Sequence, residues 1–182
     1  MVTLAQLWMP IIISAAVVFI ASALIWTLLG WHNTDFRKVP NEDGVAAALK
    51  GAPAGQYMLP YARGAAMRDP EFLTRKREGA NALIRVTRWP EGMGRQLVSM
   101  FLYYLLISIA VAIVAKATLP PGTPYLPVFK VVAAVATLAY VGSTIHDSIW
   151  FGKPWSMTIK DIVDGVIYGL LTAGVFGWRW PA

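Results

Sequence analysis

The 182-residue chain contains no cysteine. Disulfide frameworks, cysteine zinc sites and CxxC haem attachment are thereby excluded, and no thiol points to a redox compartment. Charge is scarce as well, since Asp, Glu, Lys and Arg make up only 14% of the residues, against about 25% in an ordinary soluble domain. Histidine occurs twice, as His32 and His146. No nucleophile elbow, phosphate-binding glycine loop, HExxH pair or dinucleotide fingerprint is present, so no catalytic residue is assigned.

What fills the chain is apolar: 57% of it is hydrophobic. Four runs are long enough to cross a hydrocarbon core, which takes about 20 apolar residues. They cover approximately Leu7–Leu29, Leu97–Leu119, Val128–Trp150 and Ile159–Trp178. Trp8, Trp26, Trp31, Trp150, Trp155, Trp178 and Trp180 flank them, where indoles favour the headgroup layer. The expected fold is an all-α membrane protein, a four-transmembrane-helix bundle. The first run lacks the basic leader and small-residue cleavage site of a signal peptide and reads as a retained anchor.

Eleven of the 16 basic and seven of the 10 acidic residues fall between Trp31 and Gln96. This divides the chain into a first transmembrane helix (1–30), a polar insertion (31–96) and helices two to four (97–182). The insertion is too long for a bare connection. Asn41 with Glu42 and Asp43 opens one short helix. Asp69 and Pro70 open another, which Arg75–Arg77 and Gly79 close. "GQYMLPY" and "ALIRVTRW" have the residue types of short strands. A small α+β insertion follows.

Arg37 and Lys38 on one side of the insertion, and Arg85, Arg88 and Arg95 on the other, stand close to the membrane ends. The next loop, "ATLPPGTPYLP", carries no charge. Basic loops stay inside, which predicts residues 31–96 in the cytoplasm with both chain ends outside. Arg68, Arg75, Lys76 and Arg77 are either an anionic-lipid patch or a solvated helix end. Interleaved acids and the lack of an aromatic–basic platform argue against nucleic acid.

Along the fourth run a small residue recurs every four positions: Gly165, Gly169, Ala173 and Gly177. Such a stripe forms a groove for close helix packing, either within the chain or against another protein. A weaker stripe, Ala139, Gly142 or Ser143, then His146, runs along helix three. At the cytoplasmic mouth His146, Asp147, Asp161 and Asp164 are expected to converge as a possible ion or proton site. The alternative is structural: Asp161 and Asp164 are first-turn carboxylates favoured by the helix dipole and paired with Lys153 or Lys160. His32 and His146 are weak candidates for a metal or a bis-histidine haem. No cofactor is otherwise expected.

"WHNTDF", "PNEDGVAAAL", "GQYMLPY", "SIWFGKPW" and "FGWRWP" together resemble an uncharacterised family of small bacterial four-span membrane proteins. The resemblance implies residence in the bacterial inner membrane and supplies no activity. Two function classes remain. One is a structural or accessory subunit that docks on a larger membrane complex or self-associates, with lipid and other transmembrane helices as partners. The other is a small oligomeric ion or proton channel or transporter using the His146, Asp161 and Asp164 region.

Overall fold

The computed structural model describes residues 1–88 and 92–182. In chain order it contains α1 (Trp8–Leu28), α2 (Glu42–Leu49), β1 (Gly55–Leu59), α3 (Pro70–Glu78), β2 (Ala82–Val86), α4 (Gly94–Thr118), α5 (Tyr125–Val141), α6 (Thr144–Phe151) and α7 (Trp155–Trp178). Two compact units result: Met1–Phe36 with Gly92–Ala182, and Arg37–Glu91.

In the helical unit α1 packs on α4, α4 on α5, α5 on α7 and α7 on α1, closing a ring of four long helices. Tyr104, Phe176, Val18, Val111, Val128 and Val132 fill its interior. Its outer surface is apolar too, with Ile20, Leu106 and Leu138 more than half exposed. Helices that are hydrophobic all round belong in lipid rather than water. Three stretches, Ala5–Leu28, Gly94–Thr118 and Tyr125–Phe151, are long and apolar enough to cross a membrane. α7, at 24 residues, spans about 36 Å. It carries Lys160, Asp161 and Asp164 in its first half and is not among the three.

Two boundaries differ from expectation. The third run is divided, because Thr144 Oγ1 donates to the Val141 carbonyl at 2.8 Å and so competes with the backbone ladder where α5 ends. The fourth helix begins earlier, at Trp155 behind Pro154, and has no acidic residue in its first turn. Asp161 and Asp164 are therefore not helix-start carboxylates, and the dipole explanation for them fails. An apolar-run criterion stops at Ile159, whereas the helix continues through the buried Thr158, whose hydroxyl bonds to Ser148.

The small-residue stripe is used inside the chain. A β-carbon at Gly169 would lie 2.9 Å from the Thr137 nitrogen and 3.0 Å from its Cα. At Gly165 it would lie 2.6 Å from Val141 Cγ2, and at Gly177 2.7 Å from Tyr125 Cδ2. Ala173 is fully buried. α5 thus sits in the α7 groove by way of larger residues, Tyr125, Thr137, Tyr140 and Val141. The weaker stripe of Ala139, Gly142, Ser143 and His146 is exposed and does not form that interface. At the far end of α7, Trp180 Nε1 donates to the Pro120 carbonyl at 3.0 Å, and the Gly122 amide donates to the Pro181 carbonyl at 2.9 Å.

In the second unit, Asn41 Oδ1 accepts from the Gly44 amide at 3.1 Å and caps α2. Asp69 Oδ1 accepts from the Glu71 amide at 2.9 Å ahead of Pro70 and caps α3. β1 and β2 pair antiparallel with Tyr57 opposite Ile84. The Tyr57 hydroxyl donates to the Pro53 carbonyl, 2.8 Å away. Trp89, the end of the second expected strand, lies outside the described residues.

Candidate functional site

α1 stops at Gly30, whose φ of +64° turns the chain off the helix axis. The following turn, Trp31–Thr34, swings His32 into the helical unit, where it is 4% exposed. From α7, Lys160 and Asp164 approach the same point, since residues four apart share a helix face. The result is a continuous chain of ionisable groups. Lys160 Nζ donates to Asp35 Oδ1 at 2.5 Å, Asp35 Oδ2 lies 2.6 Å from His32 Nδ1, and His32 Nε2 lies 3.0 Å from Asp164 Oδ2. Lys160 also donates to the Trp31 carbonyl at 2.5 Å and to Thr34 Oγ1 at 2.9 Å. Trp26 stacks on the imidazole, with ring centroids 4.0 Å apart and planes 3° from parallel.

The geometry constrains protons. Both ring nitrogens of His32 face carboxylate oxygens, and a neutral imidazole has only one N–H to offer. Either His32 is an imidazolium between two carboxylates, or it is neutral and one carboxyl carries the proton. The set of Lys160, Asp35, His32 and Asp164 is electrically neutral in either state, and the stacked Trp26 face suits a cation against it. Moving one proton along Nε2···Oδ2 exchanges the two states. Asp35 is set apart from that exchange. Burial pushes its carboxyl up, but hydrogen bonds and charge from Lys160 and His32 outweigh burial and hold it below the ordinary aspartate value.

The expected convergence of His146, Asp147, Asp161 and Asp164 does not form. His146 is exposed on α6, its ring centroid 5.7 Å from that of Phe151. Asp147 contributes its backbone carbonyl, which accepts from the Lys153 amide at 3.2 Å. The Asp161 carboxylate pairs with Lys153, and only Asp164 enters the buried cluster. Its true partner, His32, follows α1, and the His-x-x-Asp spacing of "WHNTD" was the available signal. Among the described residues no group of three or more His and carboxylate side chains is placed to hold a metal ion. Both His32 ring nitrogens face carboxylates, and His146 is not among the groups that meet there. Arg68, Arg75, Lys76 and Arg77 are all exposed. Three buried tyrosines, Tyr104, Tyr140 and Tyr168, form a triangle of rings with centroids 6.1, 5.9 and 5.7 Å apart, with Tyr168 one turn beyond Asp164 on α7; the sequence alone does not group them.

Comparison with known proteins finds no matching family model, no matching curated protein and no matching solved structure. The case for function therefore rests on the chain's own geometry.

Proposed function

We propose that this chain is a multi-pass membrane protein that takes up and passes a proton at the His32–Asp164 couple. α7 is its fourth span. One observation carries the reading: a histidine bridges two carboxylates in the interior of an apolar helical unit, with side chains of 3% and 6% exposure at the His32–Asp164 contact. Ionisable groups at bilayer depth are costly and mark proton or ion pathways. The polar first half of α7 faces this cluster, and its remainder, Gly165–Trp178, has the length of roughly two-thirds of a hydrocarbon core. The distribution of loop charge supports residues 31–96 in the cytoplasm with both ends outside. The resemblance of "SIWFGKPW" and "FGWRWP" to small bacterial four-span proteins supports the inner membrane.

The test is proton flux into vesicles that contain only the purified protein. Wild-type protein dissipates an imposed pH gradient, and Asp164→Asn, which keeps shape but loses the titratable group, does not. Equal rates in the two would refute the proposal.

The accessory-subunit reading retains one supporting observation. With the α7 groove occupied by α5, its docking surface is the Arg37–Glu91 unit, where Met58, Leu59, Tyr61 and Met67 are 47–66% exposed. Arg68, Arg75, Lys76 and Arg77 fit anionic headgroups, each worth about 1 kcal/mol at a membrane surface. Native purification decides it: a stoichiometric partner lost on Met58→Asp with Tyr61→Asp supports docking, and a chain that purifies alone opposes it.

A further inference from the structure

Lys160 commits all its donors to one turn. An ammonium carries three N–H groups, and here they go to the Trp31 carbonyl at 2.5 Å, Thr34 Oγ1 at 2.9 Å and Asp35 Oδ1 at 2.5 Å. The turn is closed by its own backbone. The Asn33 amide donates to the Gly30 carbonyl and the Asp35 amide to the His32 carbonyl, both at 3.0 Å. Residues three apart in so tight a turn eclipse one another, so His32 and Asp35 present their side chains together. On α7, Lys160 and Asp164 stand one turn, about 6 Å, apart on a shared face. Two groups on the turn thus meet two on the helix: Asp35 with Lys160, and His32 with Asp164.

This double pairing decides where protons rest. When His32 is neutral, the cluster has two isomeric forms of the same net charge. In one, Asp35 is a carboxylate, Nδ1 holds the ring proton, and Asp164 is a carboxylic acid that donates to Nε2. In the other, Asp35 is the acid and donates to Nδ1, while Nε2–H faces an Asp164 carboxylate. Lys160 separates the two in energy. The first form keeps the anion in a charge-assisted hydrogen bond to the ammonium. The second moves the anion to Asp164, whose ion pairing among the described residues is with His32 alone, and a buried charge without a charged partner is costly.

We propose that Lys160 is a positioning residue: by holding Asp35 as a carboxylate it fixes the Nδ1–H tautomer of neutral His32, and so makes Asp164 the carboxyl that receives the mobile proton. The tautomer stands on the geometry alone; the use of the mobile proton rests on the proton-passing function above. The exchange moves one proton and no electrons. The Nε2–H bond breaks as Asp164 Oδ2–H forms, and Nδ1–H stays in place. The charged groups that meet His32 are Asp35 of its own turn and Asp164 of α7, with Lys160 behind Asp35. Asp161 of α7 adds to the field at Asp164, whose charge reaches the phenols of Tyr104 on α4 and Tyr168 on α7.

The chain has two histidines, so nitrogen NMR of the full-length protein in lipid, isotope-labelled at histidine, reads His32 directly, and His146→Gln assigns its signals. Where His32 is neutral, the wild-type protein is expected to have Nδ1 protonated and Nε2 unprotonated. Lys160→Met, or Lys160→Gln should the former fail to fold, is expected to lose that selection. The Nε2–H form then appears, and infrared spectra gain a protonated-carboxyl band that survives Asp164→Asn and disappears with Asp35→Asn. Lys160→Arg, which keeps the charge, should retain Nδ1–H. A wild-type Nε2–H tautomer, or a ring that keeps both protons at every pH, overturns the proposal. So does a charge-removing variant that melts at a lower temperature but leaves the tautomer and the carboxyl bands unchanged, since that is the mark of a merely structural lysine. Vesicle flux is a separate readout. A wild-type protein that holds Nδ1–H in this lysine-dependent way yet passes no proton refutes the proton-passing function and upholds the positioning by Lys160.

Discussion

His32 Nε2 lies 3.0 Å from Asp164 Oδ2 although 132 positions of chain separate the two residues. The contact ties the turn after α1 to the middle of α7, and it places a shared proton inside the helical unit. Removing one member leaves the other side's charge buried without compensation. His32→Ala is expected to cost about 3 kcal/mol, whereas Asp164→Asn costs less because its amide oxygen still accepts from Nε2. Unfolding of the two variants in detergent checks the order, and equal losses would show that the histidine contributes packing alone.

The α5–α7 contact predicts opposite signs at two glycines of one helix. Gly169 has the Thr137 backbone against it, while Gly174 has nothing closer than the Tyr125 hydroxyl at 3.9 Å. Gly169→Leu is expected to lose about 1–3 kcal/mol through overpacking, and Gly169→Ala to lose stability as well. Gly174→Ala gains about 0.5–1 kcal/mol from helix propensity. Melting temperatures measure both, and similar shifts at the two positions would contradict the close approach.

Asp35 gives an acid signature. Its carboxyl is held below the ordinary aspartate pKa, about 3.9, once the opposing effect of burial is outweighed by Lys160 and His32. The stabilisation is therefore fully present above that value and is lost as pH falls through the lower, folded-state one. Wild-type stability should drop on acidification below about pH 4. Asp35→Asn should be less stable at neutral pH and lack that acid-dependent component. Parallel pH curves for the two proteins would remove Asp35 from the network.

Because the chain lacks cysteine, single-cysteine labelling reads topology cleanly. Thr123 and Ala182 belong to the end where the Gly122 amide meets the Pro181 carbonyl, and Ser156 to the opposite end of α7. Cysteines at Thr123 and Ala182 are expected to label from outside and one at Ser156 from the cytoplasm. Labelling of Ser156 and Ala182 from the same side would deny α7 its place as a span.

Apolar run length located the four long helices, and Asn41, Asp69 and Pro70 located α2 and α3, because these signals are local; α6 was not separated from the third run. The four-residue stripe identified the α7 face that α5 occupies, though spacing alone left the occupant open. The site was legible only in part. Sequence order places Asp164 between His146 and the helix-four glycines, so nearness along the chain favoured His146, which faces outward. The real pairing depends on Gly30 turning the chain back and on α1 packing beside α7. These are tertiary facts that no local period encodes. The tyrosine triangle is hidden for the same reason, with one ring from each of three helices.

The most direct test is the infrared spectrum of Asp164 itself. pH-difference spectra of the wild-type protein in lipid are expected to contain a protonated-carboxyl stretch that titrates, shifts in heavy water and is missing from Asp164→Asn. His32→Gln should move its titration. A carboxyl region in which Asp164→Asn removes no titrating band would show that Asp164 never carries the proton, and the proposed function would fall with it.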